Sequence, residues 1–362
     1  MRLSRGVCVL LVAAAACGDD DDTAIGAETE TTGGVIETTG GPMPTTAVAT
    51  TDRDDDTTTG TPPDVGGTTG DTDPDPTNGE DDTTGNPIID VDPFVNCTNV
   101  DYLYVIDNSA SMLTHQQTLL SAFPAFAAVT QALIPASDQS HVMVVKTDEG
   151  FGGHCIDHCA ELGLCLDNLG FDCAQTTVGC DAQLGAGVVY PYGILGRNEP
   201  CELTGEARYI VPEEEDVLPA MTCIADLGVR LYDTPRTADA LLAALSEDQL
   251  GEGGCNEGFL RDDALLVVTL VTDKDDTTSS GNAMAWYDAV VAAKNGRAQD
   301  VFVIGLFAEN LAQCDDDARA PGALGEFVDL FPNSRRFDIC APSYQGALVD
   351  TVVPVGTTCE QM

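Results

Sequence analysis

The sequence predicts an α/β protein with a doubly wound, mostly parallel sheet, which carries a cysteine-rich insertion and follows a disordered acidic linker. Three observations lead to this fold class. Short, continuously apolar runs alternate with longer amphipathic segments, which is typical of a parallel sheet covered by helices on both faces. Six cysteines lie within residues 148–206, where apolar runs are few. Residues 18–86 contain 20 threonines and 18 acidic residues but no cysteine, lysine or aromatic residue.

The folded part opens with a strand, a helix and a second strand. Residues 101–107 and 141–147 are short β-rich apolar runs that end at polar positions. Between them, residues 112–134 place apolar side chains at helical spacing. A bend is expected at Pro124, because proline lacks the amide hydrogen that an inner helical turn needs. This order is that of a βαβ unit with parallel strands.

The second half of the chain repeats the alternation of strands and helices. Its most apolar run, 264–273, predicts the strongest strand of the chain. The remaining strands are expected at 300–307 and 336–339, and helices at 237–245, 282–295, 323–331 and 344–353. Gly296 follows the second of these helices, as is common where a helix ends.

The first residues of the chain are typical of an export signal. Two arginines precede an apolar run of about ten residues, 7–16, which is too short to span a membrane. The run ends in Ala14-Ala15-Ala16-Cys17, which resembles a bacterial lipobox. The resemblance implies a signal peptide at 1–16, cleavage before Cys17 and a lipid on Cys17. The alternative is ordinary cleavage with Cys17 unmodified. Cys8 is removed with the signal peptide, and a lipidated Cys17 cannot form a disulfide. The remaining twelve cysteines are an even number, which permits complete disulfide pairing.

The net charge of −45 comes from 60 acidic residues against 15 lysines and arginines. The linker, which occupies 17–86 after Cys17, is expected to stay disordered because it cannot bury enough apolar surface. The predicted domain, 87–362, has 42 acidic and 12 basic residues and so a net charge of −30. These charges argue against a nucleic-acid partner, because phosphate binding needs clustered lysines and arginines.

The predicted insertion, 148–206, has enough cysteines for three internal bridges in a small subdomain, whose pairing the sequence leaves open. Disulfides explain these cysteines better than zinc, because the chain is exported and the spacing does not fit the usual zinc patterns. Outside this group we expect three further bridges: Cys97–Cys359, Cys223–Cys255 and Cys314–Cys340.

Oxygen-bearing side chains follow two of the predicted strands. Asp107, Ser109 and Ser111 come directly after the first strand, and Asp273 ends the most apolar one. Ligands of doubly wound sheets bind at the carboxyl ends of strands, so these four residues form a candidate site. One carboxylate and two hydroxyls on a tight turn suit a hard cation such as Mg²⁺, with Mn²⁺ or Ca²⁺ as alternatives. The other interpretation is helix capping, which Asp and Ser also favour.

The pattern Asp107-x-Ser109-x-Ser111 resembles the start of the metal-ion-dependent adhesion site of von Willebrand factor A (vWA) domains. The resemblance covers roughly residues 100–355, with the cysteine-rich segment inserted. The chain also resembles a set of exported bacterial lipoproteins that have a threonine-, glycine- and aspartate-rich linker. By this resemblance, Asp273 is a further metal ligand.

The vWA resemblance also implies a threonine ligand from a loop before the middle helix. Setting Leu227-Gly228-Val229 against the Gly-Thr that the resemblance implies there places Val229 at the ligand position, which leaves Thr234 or Thr237 as the candidate substitute. Lys274 stands where the family has a glycine after the strand-end aspartate.

The resulting functional hypothesis is a cell-envelope lipoprotein whose vWA-like domain binds a protein or cell-surface ligand through a divalent cation. The alternative is a metal-free structural or scaffolding lipoprotein with a degenerate site. In both cases the chain is exported and anchored in the outer membrane or at the cell surface, and it meets the membrane only through its lipid. Catalysis is not expected, because the common nucleophile, zinc-protease, phosphate-loop and dinucleotide motifs are missing from the sequence.

Overall fold

The computed structural model describes residues 91–148, 179–230, 234–314 and 317–362. The predicted signal peptide, Cys17 and the acidic linker lie outside these residues, as do Cys155, Cys159, Cys165 and Cys173 of the predicted insertion.

Five strands form one sheet in the described part of the chain. They are β1 (Val100–Ile106), β2 (His141–Lys146), β3 (Leu265–Val271), β4 (Val301–Phe307) and β5 (Ser334–Asp338). All pair in parallel, in the order β2-β1-β3-β4-β5. The direction of winding reverses between β1 and β3, which is the point where such sheets place their ligands.

Helices cover both faces of the sheet, which confirms the predicted fold class. They are α1 (Leu113–Leu133), α2 (Val217–Ala225), α3 (Thr237–Ala244), α4 (Glu247–Leu250), α5 (Ala283–Ala293), α6 (Gly322–Asp329) and α7 (Gln345–Glu360). Buried side chains of α1, α2 and α7 form one hydrophobic core with the sheet, and those of α3, α5 and α6 form the other.

The two cores explain why the strands are continuously apolar. In β1, Tyr102, Tyr104 and Ile106 belong to the core under α1 and α7, whereas Leu103 and Val105 belong to the core under α3. Because side chains alternate between the two faces of a strand, a strand covered on both sides needs an apolar residue at almost every position.

Three helices differ from the prediction, and one of them is the single-turn α4, which was not predicted. The last helix was expected to end at 353, but α7 continues to Glu360 with Pro354 inside it. Its later turns bury Val355 and Cys359, which favours continuation of the helix despite the proline. Helix α2 was not expected at all. Its proline, Pro219, lies in the first turn, where an amide hydrogen is not needed.

The disulfides confirm two of the three predicted bridges and correct the third. Cys97–Cys359 and Cys314–Cys340 are formed. The predicted Cys223–Cys255 bridge is wrong, since Cys223 bonds to Cys201 and Cys255 bonds to Cys180. Two cysteines of the predicted insertion are therefore bonded outside it, so the three internal bridges expected there cannot form.

The reason for this correction is the path of the chain beside β2. The amide of Val188 donates to the carbonyl of Val144 over 2.8 Å, and Ile210 pairs with Val142 in an antiparallel bridge. The segment from 179 to 211 thus runs along the outer edge of the sheet rather than forming a separate module, and its cysteines lie against the domain.

Four disulfides in the described residues are typical of a protein that folds in an oxidising, extracytoplasmic compartment. Within those same residues, none of the helices combines the length and the apolar character that crossing a membrane requires.

Candidate functional site

The candidate site lies at the carboxyl ends of two neighbouring strands. β1 and β3 pair in register up to Ile106 and Val271, and the amide of Asp107 donates to the carbonyl of Val271 over 2.9 Å. The pairing brings the turn after β1 and Asp273 after β3 to the same edge of the sheet, at the point where the winding reverses.

Asp107 is fully buried and accepts three further hydrogen bonds. Its Oδ1 accepts a hydrogen bond from the amide of Ser109 at 2.7 Å, and its Oδ2 accepts one from Thr272 Oγ1 at 2.7 Å. Its carbonyl accepts from Gln116 Nε2 at 3.1 Å, and the same amide group donates to the carbonyl of Gly228 at 3.2 Å. The carboxylate therefore has a defined orientation before any ligand arrives.

The two serines of the motif place their hydroxyls together. Ser109 Oγ and Ser111 Oγ are 3.5 Å apart, with Ser109 buried and Ser111 half-buried. Ser109 occupies the N-cap position of the short 3₁₀ turn that leads into α1, yet its side chain makes no capping hydrogen bond. Helix capping thus does not account for the hydroxyl of Ser109.

Asp273 is also buried, with only 1% of its surface exposed, and its Oδ1 has no hydrogen-bond partner among the described residues. Burial raises the pKa of Asp107 to about 6, and the negative charge of Asp273 adds to this, while the hydrogen bonds from Ser109 and Thr272 oppose it. Two buried carboxylates, together with two hydroxyls, are the donor types that hard divalent cations take in proteins.

The two candidate threonines differ in their surroundings. Thr234 is exposed, whereas Thr237 is completely buried and its Oγ1 has no hydrogen-bond partner among the described residues. Thr237 begins α3, and the flanking Arg236 amide donates to the carbonyl of Thr147, directly after β2, at 3.3 Å. The amide of Ala238 donates to Asp276 Oδ2 at 2.8 Å. The start of α3 therefore lies at the same edge of the sheet as Asp107 and Asp273.

The segment that contains Val229 also borders the site. The amide of Arg230 donates to the carbonyl of Asn108 at 2.8 Å, and Arg230 forms a parallel bridge with Ser109. Val229 itself is buried in the hydrophobic core on the α1 side. At the position where the resemblance implies a threonine, this chain thus contributes an apolar side chain to the core.

Lys274 and Asp275, which follow Asp273, are held by neighbouring groups. The amide of Lys274 donates to Thr272 Oγ1 at 3.1 Å, and the carboxylate of Asp275 accepts from the amide of Ala323 at 3.2 Å, near the start of α6.

Sequence reasoning missed a buried polar cluster beside the site. Asp148 Oδ2 accepts from Asn108 Nδ2 at 2.9 Å and from the guanidinium of Arg230, while Lys146 Nζ lies 3.4 Å from Asp148 Oδ1. Burial alone would raise the pKa of Asp148, but the charges of Lys146 and Arg230 hold it below its usual value. The cluster anchors Asn108, which stands between Asp107 and Ser109. Its only sequence signal is the position of Asp148 just beyond a strand end.

A second group of potential metal ligands has a different explanation. Cys314, Asp338 and Cys340 bring ligand atoms within 4.8 Å of one another. The two sulfurs are bonded to each other, so neither is available as the thiolate that binds metals.

Comparisons with known proteins do not identify a family. No protein-family model and no curated protein matches the chain. Two crystal forms of proximal thread matrix protein 1 from the mussel byssus are similar to it at TM-scores of 0.35 and 0.34 and at 12% and 11% sequence identity. The matches cover 74% and 73% of this chain but only 48% and 47% of that protein, so this chain spans about half of its length. Such values give no basis for transferring a function.

Proposed function

We propose that this chain is a cell-envelope lipoprotein whose vWA-like domain binds a divalent cation and, through it, a protein or cell-surface ligand. Asp107, Ser109, Ser111 and Asp273 would hold the cation. The observation that carries the proposal is Oδ1 of Asp273, a buried carboxylate oxygen that has no partner among the described residues.

The carboxylate and hydroxyl oxygens of these four residues are suitable ligands for a divalent cation. A buried carboxylate oxygen without a hydrogen-bond donor is unfavourable unless a positive charge compensates it. Mg²⁺ takes oxygen ligands and often retains positions for water or for a partner's oxygen, and Mn²⁺ and Ca²⁺ also accept carboxylates. Thr237 is the better candidate for a further ligand than Thr234, because its buried hydroxyl is without a hydrogen bond and lies at the same sheet edge.

The charge of the domain supports a bridging role for the cation. Residues 87–362 have a net charge of −30, which repels acidic partners. A bound cation would supply local positive charge and an open position for an acidic oxygen of a partner. We expect no catalytic turnover at this site, since its described residues include no nucleophile paired with a base.

The alternative is a metal-free scaffolding lipoprotein that retains the fold. Val229 favours it, because an apolar side chain occupies the position that the resemblance assigns to a ligand. In both hypotheses the lipid on Cys17 would anchor the protein to the outer membrane or cell surface.

Isothermal titration of the chelator-treated mature chain with Mg²⁺, Mn²⁺ and Ca²⁺ separates the two functions. We expect saturable binding by the wild type, loss of binding in Asp273→Ala, and unchanged binding in Asp288→Ala. Asp288 is an exposed carboxylate on α5 and so controls for the loss of one negative charge. Absence of binding by the wild type, or equal binding by Asp273→Ala, would refute the cation site and favour the scaffold.

A further inference from the structure

A second concave site lies away from the strand ends, between α1, α2 and the face of the sheet that they cover. It is a cleft of about 400 Å³, within the range of small-molecule pockets. Its apolar wall includes Tyr102 and Tyr104 of β1, Phe126 of α1 and Met221 of α2. Tyr104, the lining residue closest in the chain to Asp107, precedes it by three residues, about 10 Å along an extended strand, and none of the four candidate cation ligands lines the cleft.

Two hydroxyls in the lining of this cleft lack partners. Thr130 and Ser140 are each 7% exposed, and neither Thr130 Oγ1 nor Ser140 Oγ has a hydrogen-bond partner among the described residues. A buried hydroxyl without a partner is unfavourable, so a ligand that hydrogen-bonds to these groups would gain affinity. This pair of hydroxyls distinguishes the cleft from a simple packing defect, which would have an apolar lining.

The charges around the cleft restrict its ligand. Glu215 and Asp216, both exposed, are among its lining residues, and no described lysine or arginine is. Carboxylates on a domain of net charge −30 disfavour an anion and favour a cation. Aromatic rings such as those of Tyr102 and Phe126 accommodate both an apolar group and, over their faces, an organic cation.

We propose that this cleft binds a small organic cation: an amine whose apolar body packs against Tyr102, Tyr104 and Phe126. The hydroxyls of Thr130 and Ser140 would hydrogen-bond to its polar groups. The carboxylates of Glu215 and Asp216 would face the ammonium group. This inference is independent of the proposed cation site, because none of the residues involved belongs to it.

The test compares three probes of similar size with different charge: phenethylamine, phenethyl alcohol and phenylacetate. Chemical-shift titration of the isotope-labelled mature chain, in chelator, should show saturable shifts for residues of α1 and α2. Phenethylamine should bind most tightly and phenylacetate most weakly, and added salt should weaken only the amine. Equal affinity for all three probes, or no saturable shift with the amine, would overturn the proposal.

Variants of the lining residues and of their neighbours complete the test. Ala127→Phe places a ring in the cleft and should abolish binding, whereas Ala128→Phe, at the exposed next position of α1, should not. Glu215→Gln combined with Asp216→Asn should weaken the amine about tenfold and leave the alcohol unchanged, while Glu213→Gln should change neither. Binding that survives Ala127→Phe would place the amine elsewhere and refute the assignment.

Discussion

Replacing Arg230 by methionine removes a buried positive charge beside the candidate site while keeping a side chain of similar length. The guanidinium of Arg230 and the carboxylate of Asp148 form an ion pair in which the two side chains are only 4% and 5% exposed. Asp148 would keep Asn108 as a donor and Lys146 at 3.4 Å, but it would lose its closest cation.

The expected loss of stability is about 3 kcal/mol in the free energy of unfolding at pH 7. Removing one member of a buried pair costs about 3–5 kcal/mol, because the remaining charge stays buried without compensation. The lower end applies here, since Lys146 remains near Asp148. The matched control is Arg236→Met, which removes an arginine that is 39% exposed and pairs with Asp239 at 3.0 Å. Such a surface pair contributes less than about 1 kcal/mol.

The destabilisation by Arg230→Met should also decrease as the pH falls. In the wild type the pKa of Asp148 is lowered, so its stabilising contribution is present above the unfolded pKa and is lost as pH falls through the folded pKa. Without the guanidinium, burial is expected to raise the pKa of Asp148 instead. Protonation of Asp148 at lower pH then removes the buried charge that destabilises the variant. The difference in stability between wild type and Arg230→Met should therefore be smaller at pH 4.5 than at pH 7.

Urea unfolding followed by tryptophan fluorescence measures this difference. Trp286 is the one tryptophan in the sequence and is buried on the opposite face of the sheet, so it reports unfolding rather than the local change. A loss below about 1 kcal/mol at pH 7, similar to that of Arg236→Met, would show that the buried pair does not stabilise the fold. An equal loss at both pH values would refute the role assigned to the charge of Asp148.

Three further predictions concern the cation site, the disulfides and the anchor. Asp107→Asn should stabilise the chelator-treated protein by about 2–3 kcal/mol, because it removes a buried charge whose pKa is raised to about 6 and its amide can donate to Thr272 Oγ1. Mg²⁺ should raise the melting temperature of the wild type but not that of this variant, and destabilisation of the variant without metal would contradict this reasoning. Replacing Cys201 and Cys223 together by alanine opens a bridge with a sequence separation of 22 and should lower the free energy of unfolding by about 3 kcal/mol, measured by urea denaturation. Cys17→Ser should release the protein from the membrane fraction, and mass spectrometry should find a lipid on the wild-type amino terminus but not on the variant; an unmodified Cys17 in the wild type would support ordinary cleavage.

The strands and the turn after β1 were predictable because they depend on residues that are adjacent in the chain. Apolar runs of six or seven residues identify β1 and β3, and the alternation with helices implies that these strands are parallel. Once the strands are parallel, Asp107 and Asp273 must lie at the same edge of the sheet. Two disulfides, Cys97–Cys359 and Cys314–Cys340, were also predicted correctly.

Other features depend on contacts between distant parts of the chain. Cys180 and Cys201 appeared to belong to a separate insertion, but the segment that contains them pairs with the outer edge of β2 and so reaches Cys255 and Cys223. Helix α2 was missed, and its nine residues depend on packing against α1 and the sheet.

The sequence by itself determined the α/β class and the group of oxygen-bearing side chains at the sheet edge, since periodicity and strand-end chemistry are local properties. Only the tertiary structure decided which of these groups have partners. Three features arise where separate elements pack together. They are the burial of Asp273 Oδ1 without a hydrogen-bond partner among the described residues, the ion pair between Arg230 and Asp148, and the cleft with the hydroxyls of Thr130 and Ser140. Burial and pairing of a side chain depend on neighbours that the linear sequence does not identify.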